Sequence, residues 1–424
     1  MELFYDISVL GEAVANNSAR TGIFRVVENV ALQLAMRSEI ALQFTALKNL
    51  RECLGYIETH PVFSKIPLSH STLMLNVEDK KNQLSRDIKA RKFPTRQALR
   101  IVRELLSGTG KILTKYHGAG NVKHMNCDIF HSPFLPLPRG IQSKFRFITV
   151  YDLIPILRPQ YFNNQKNHLL HRVVHSIDEG TWVFCISEAT KNDLLNYNSK
   201  VDPQKVAVIP LGASDLFFQC QDMDILQTSK TKYGIPEKPY FLSLSTLEPR
   251  KNIDSTIRAF VRMVRQENLH DINLVLVGTK GWDFDKIFDE ISGCNDLKDR
   301  IIVTGYVDDQ DLAAIYSGAL AFVYPSFYEG FGLPPLEAMQ CGIPVITSNT
   351  SSLPEVVGDA GIQVDPEDND GLCQAMLEML NNAAFRQQLS KRSIERARLF
   401  SWEACADVTI NHYRRAMNSV PSAI

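Results

Sequence analysis

The stretch Glu329-Gly330-Phe331-Gly332-Leu333-Pro334-Pro335-Leu336-Glu337 decides how this chain reads. Two carboxylates stand eight positions apart, with a glycine-rich turn and two prolines between them. Ahead of it, Ala321-Phe322-Val323-Tyr324-Pro325 is a short apolar run ending at a proline, the pattern of a buried strand. Behind it, Leu336 to Gln340 continues as a helix that Cys341-Gly342 closes. Strand, glycine-rich loop and helix start together turn backbone N–H groups toward an anion. Carboxylates on either side accept hydrogen bonds from hydroxyls. An anion flanked by hydroxyl-rich groups describes a nucleotide sugar.

Other strand ends carry matching chemistry. Arg250-Lys251 follows Tyr240-Phe241-Leu242-Ser243-Leu244, an apolar strand pattern. Cations at a helix start oppose the helix dipole, and a nearby pyrophosphate resolves that conflict. Ser351 to Gly361 follows the strand pattern Pro344-Val345-Ile346-Thr347, and there Glu355 either binds ligand or caps a helix. In the first half, His131 and Asp152 stand where strands end, placed to touch sugar hydroxyls, or else to serve structure and cap a turn.

The alternation of strand and helix patterns predicts an α/β chain with parallel sheets covered by helices. A first strand is expected over Leu3 to Leu10, then a helix from Thr21-Gly22. Further strands are expected at Asp128–His131, Phe147–Tyr151, Trp182–Ile186 and Val206–Pro210. Residues 213–239, ending in Pro236 and Pro239, read as an irregular linker. A second rhythm runs through Tyr240–Leu244, Asn273–Val277, Ile301–Val303, Ala321–Tyr324 and Pro344–Ile346. The expected organisation is a Rossmann-like domain over 1–212, the linker, a second such domain over 240–395, and a C-terminal helix over 396–424 crossing back to the first. Ligands in such doubly wound sheets bind at the carboxyl ends of the strands, here across a cleft.

Bulk properties remove several classes. The chain of 424 residues suits two domains, and its net charge of −1 gives no general attraction to nucleic acid. No apolar run reaches the ~18–20 residues that span a bilayer. The N-terminus carries acids where a signal peptide needs bases. The eight cysteines form no Cys-x-x-Cys, which fits free thiols in a reducing cytoplasm. His168, His171 and His175 share a helix face, but no carboxylate or thiol partner is evident for a metal. Neither a Gly-x-Gly-x-x-Gly after a strand nor a Walker loop is present. Residues 80–115 hold eleven bases against two acids, the mark of a solvated helical face or of peripheral contact with anionic lipid.

The chain resembles glycosyltransferase family 4 of the GT-B fold, in its branch of bacterial O-antigen and capsule mannosyltransferases. The likeness rests on Tyr324 to Met339 with Cys341 to Val345. It is joined by Leu247 to Asn252, Ser351 to Gly361, Ile186-Ser187-Glu188 and Gly305-Tyr306-Val307. It covers the second domain and, more thinly, the first from Asp128. The resemblance implies a retaining transfer of a hexose, with mannose from GDP-mannose first and a UDP-sugar second, to a polysaccharide or lipid-linked saccharide. It implies no cofactor and no metal, and a place at the cytoplasmic face of the membrane. Glu329 is then expected at the donor sugar and Glu337 at the ribose. Arg250, Lys251 and the backbone N–H groups of Gly332 and Leu333 are expected at the diphosphate, with Gly330 and Phe331 also in the donor site. His131, Glu355 and Gly22 complete the expected donor site. Three departures stand out. Ser245-Thr246 replaces Gly-Arg, which puts Thr246 at the site. Tyr151-Asp152 replaces His-Asp, so Tyr151 substitutes as a hydroxyl donor or activity is reduced. Gly22-Ile23-Phe24 replaces Gly-Ile-Gly, with Arg25 matching. The Tyr151 change leaves a second reading, a sugar-nucleotide-binding subunit without catalysis. A third, a nucleotide-sugar epimerase, is opposed by the spacing of Glu329 and Glu337.

Overall fold

The computed structural model describes residues 1–16, 22–69, 80–81, 83–84, 88, 101–105, 127–139, 141–162, 168–279, 281, 293 and 296–419. Among the described residues, twelve strands form two parallel sheets of six. The first runs β2-β1-β3-β4-β5-β6, with β1 (Glu2–Asp6), β2 (Ala41–Thr45), β3 (Cys127–Ser132), β4 (Ser143–Val150), β5 (Thr181–Cys185) and β6 (Val206–Val208). The second runs β12-β11-β10-β7-β8-β9, with β7 (Tyr240–Leu244), β8 (Asn273–Val277), β9 (Ile301–Gly305), β10 (Ala321–Tyr324), β11 (Val345–Ser348) and β12 (Gly361–Val364). Every residue of β5 and of β8 is buried, as strands covered by helices on both faces require.

The strand order fixes where a ligand can sit. From β7 the chain steps outward to β8 and β9, then returns to place β10 on the other side of β7. The helices after β7 and β10 therefore leave on opposite faces and open a crevice between the two strand ends. Arg250 and Lys251 follow β7, and Glu329 follows β10, so the charged residues flank that crevice. β1 holds the same position in the first sheet, between β2 and β3.

Three expectations change. The first strand ends at Asp6, and a helix, Ser8–Asn16, follows at once. Asp6 Oδ1 accepts from Ser8 Oγ at 2.7 Å and from Leu47 N at 3.0 Å, which turns the chain. Ile7 and Leu10 are fully buried on that turn and helix, so a short apolar run looked like more strand. The supposed linker contains a helix, Met223–Lys232, capped by Asp222, whose side chain accepts from Asp224 N and Ile225 N. Most of that helix is exposed, so it carried little apolar periodicity. β2 and β12 were not anticipated either. β12 is an edge strand introduced by Gly358-Asp359-Ala360, which reads as a turn.

The last helix, Trp402–Asn418, follows the second sheet in sequence but packs on the helix Ile23–Ala35 of the first. Most of 80–115 lies outside the described residues. Among the described residues no helix is long and apolar enough to cross a membrane.

Candidate active site

The crevice opens into a cleft of ≈ 610 Å³ between the two sheets. Its most heavily charged wall is built from residues just past β7 and β10. Lys251 Nζ donates to Glu329 Oε1 at 2.7 Å and to the Tyr324 hydroxyl at 2.7 Å. Arg250 Nη1 lies 2.9 Å from Glu329 Oε2, and its Nη2 donates to Glu248 at 2.8 Å. Ser326 Oγ and the Tyr324 hydroxyl approach Glu329 Oε1 at 2.6 and 2.9 Å. Glu329 is only 8% exposed. Burial alone would raise its pKa, but Arg250 and Lys251 overcome that and hold it at about 2. Burial acts the other way on Lys251 and pulls its ammonium below the usual lysine range, against the attraction of Glu329. With Glu329 held ionised at its side, we take Lys251 as the charged partner.

The loop after Glu329 supplies donors. Among the described residues, the N–H groups of Gly330, Phe331, Gly332 and Leu333 have no hydrogen-bond acceptor. Pro334 and Pro335 occupy the first turn of the helix Leu333–Gln340, where a missing N–H costs nothing. Gly332 has φ +123°, a conformation that side chains resist, and this turns the loop into the helix. Open amides beside a helix N-terminus are the anion-binding arrangement expected from the sequence.

Glu337 sits one helical turn further on. Arg25, from the first sheet's helix Ile23–Ala35, reaches across the cleft to Glu337 Oε1 at 3.3 Å and to Asp309 Oδ2 at 2.6 Å. The Tyr316 hydroxyl donates to Glu337 Oε2 at 3.3 Å. Burial raises the Glu337 pKa to about 7, although Arg25 and Tyr316 oppose it. A carboxyl raised above its ordinary 4.5 favours folding below pH 4.5, and that contribution is lost as pH rises through about 7. Glu337→Gln is therefore expected to gain stability relative to the natural protein between pH 5 and 8, by on the order of 3 kcal/mol. Chemical denaturation at the two pH values measures this, and parallel pH profiles would contradict it.

The structure gathers Gly22, Asp152, Thr246, Arg250, Lys251, Glu329, Glu337 and the 330–333 loop around one cleft. Asp152 Oδ1 accepts from Ile154 N at 3.0 Å, so it also caps its turn, and burial raises its pKa. Three expected residues stand differently. His131 is 1% exposed, beneath the cleft. Its ring nitrogens lie 2.6 Å from the Tyr413 hydroxyl and 2.9 Å from that of Thr149, and burial lowers its pKa to about 3. It ties the last helix to the first sheet and does not line the cleft. Tyr151 lines the cleft, but its hydroxyl is buried without a partner, so it offers no donor there. Glu355 lies outside the cleft and caps a helix across the domain boundary. Arg25, Ser326 and Tyr324 received no role from the sequence. The hydroxyl pair at Tyr324 and Ser326, just before Glu329, was the available signal.

Two facing parallel α/β sheets with a charged cleft at the switch point define the GT-B class. Sucrose-phosphate synthase from Thermosynechococcus elongatus superposes with a TM-score of 0.66 at 20% identity, covering 99% of this chain and 100% of that one. The Anabaena protein HepE in complex with UDP and glucose gives 0.64 at 15% identity, over 99% and 100%. The glycosyl transferases group 1 model matches residues 227–396. The O-antigen chain mannosyltransferase B of Escherichia coli is 34% identical over 289 residues, 68% of this chain and 74% of that protein. The chain belongs to the group 1 glycosyl transferases.

Proposed function

We propose that this protein transfers a hexose with retention from a nucleotide sugar to a polysaccharide or lipid-linked saccharide. The donor reading is GDP-mannose, of which the likeness to an O-antigen mannosyltransferase supports the mannose. The observation that carries the reaction is the row of four open amides at 330–333 beside the Arg250–Glu329–Lys251 cluster. Charge develops on the leaving diphosphate, and fixed donors placed there stabilise it without reorganising. Glu337 takes the ribose, and its hydrogen bonds require the ionised carboxylate. Nucleotide affinity then weakens as pH falls through about 7. Residues 240–395 act as the donor domain and 1–212 as the acceptor side, with Asp152 and Gly22 at the boundary. No metal or cofactor enters this scheme. The protein works at the cytoplasmic face of the membrane, and the basic composition of 80–115 suits either a solvated face or peripheral contact with anionic lipid.

The buried Tyr151 hydroxyl favours one alternative, a binding subunit with weak catalysis. Incubation with GDP- and UDP-sugars plus mannose-terminated oligosaccharides separates the two. Acceptor-dependent release of GDP from GDP-mannose, with a product of the donor's anomeric configuration by proton NMR, is expected. Binding without release would support the subunit, and an inverted product would end the retaining scheme.

A further inference from the structure

Glu355 belongs to the helix Leu353–Val357 of the second sheet, yet its carboxylate serves the first. Oε2 accepts from Glu188 N at 2.7 Å and Oε1 from Ala189 N at 2.8 Å. These are the first two amides of the helix Glu188–Tyr197, which follows β5. A helix of ten residues presents free N–H groups and partial positive charge at that end. A bidentate carboxylate answers both. The cap of that helix, Ser187, donates its hydroxyl to the carbonyl of Gly330 at 2.7 Å, with Thr190 Oγ1 3.3 Å from the same oxygen.

The contact reaches the donor loop from both sides. Ser352, on the turn that leads to Glu355, stands 3.0 Å from the carbonyl of Glu329 and 2.7 Å from that of Phe331. Carbonyls 329, 330 and 331 are thus all held, the middle one only from the opposite domain. A planar trans peptide points its N–H away from its carbonyl, so holding these oxygens aims the amides of residues 330, 331 and 332. The fit is close: a Cβ on Gly330 would lie 2.5 Å from the carbonyl oxygen of Tyr151. Arg396 fixes the backbone of Glu355 from behind, donating to its carbonyl at 2.6 Å.

We propose that Glu355 is a positioning residue for transfer. By capping the Glu188–Tyr197 helix it holds the two domains closed and keeps Ser187 on the Gly330 carbonyl. The open amides are thereby set for the leaving diphosphate. The catalytic part of this rests on the transferase reading above. Donor ligands held by Arg250, Lys251 and Glu337 sit on the second domain, so they bind whether or not the latch is closed.

Glu355→Gln keeps the size but turns one end from acceptor to donor, facing an N–H. The expected result is a fall in kcat of about 30- to 100-fold, with donor-nucleotide affinity within three-fold of the natural protein. Hydrogen exchange should rise in peptides covering 187–190 while the core of the second sheet stays protected. Ser187→Ala, which removes the hydroxyl that holds the Gly330 carbonyl from the opposite domain, should reproduce the same split. Exchange reads the latch without turnover, so it stands apart from any failure of the transferase reading. Three results would overturn the proposal: unchanged exchange at 187–190, kcat within two-fold of the natural protein, or nucleotide affinity falling in step with kcat. The last would make Glu355 a ligand contact.

Discussion

Lys251→Ala is expected to lower kcat by about 100- to 1,000-fold with little change in stability. Its ammonium is the one base in the cluster that touches both Glu329 and Tyr324. Taking it away leaves Glu329 with Arg250, Ser326 and Tyr324, so no buried charge is stranded. What disappears is a fixed cation beside the open amides, where leaving-group charge is proposed to develop. Lys251→Arg should not restore activity, because a planar fork cannot occupy the site of a point charge. Steady-state transfer and a thermal melt check both halves. Turnover within a few-fold of the natural protein would remove Lys251 from the mechanism.

Glu329→Ala is expected to cost more, and in a different currency. Its carboxylate neutralises two buried bases, and removing one partner of such a set costs about 3–5 kcal/mol. Activity and stability should both fall. Glu329→Gln keeps the volume and accepts through one oxygen, so it should recover much of the stability while turnover stays low. Denaturant midpoints and transfer rates of the pair separate the two effects. An alanine variant as stable as the natural protein would contradict the cluster's geometry. The resemblance implies Glu329 at the donor sugar. In the structure its carboxylate also accepts from Lys251, Tyr324 and Ser326 and pairs with Arg250, so it orients both bases.

The proposed donor half of the site was legible because its residues lie in one strand–loop–helix unit and one strand end. Spacing along the chain there translates directly into position. The parallel order of the second sheet then brings β7 and β10 together, a step that sequence periodicity does not report. What stayed hidden depends on contacts between distant segments. His131 looked like a cleft residue because it ends a strand, but the last helix covers it with Tyr413. Tyr151 occupies the right position with its hydroxyl turned inward. Glu355 was read as ligand or cap, and it is a cap, though of a helix some 170 residues earlier, a partner that no local pattern names. Arg25 likewise meets Glu337 only through the facing of the two sheets.

The central claim is that the diphosphate of a nucleotide sugar rests on the 330–333 amides between Arg250, Lys251 and Glu337. A crystal structure of the protein with GDP or GDP-mannose measures this directly. The account predicts phosphate oxygens within hydrogen-bonding distance of the Gly332 or Leu333 N–H and of Arg250 or Lys251, with the ribose on Glu337 and Arg25 displaced from it. A diphosphate bound elsewhere, or a ribose that leaves the Arg25–Glu337 pair intact, would contradict it.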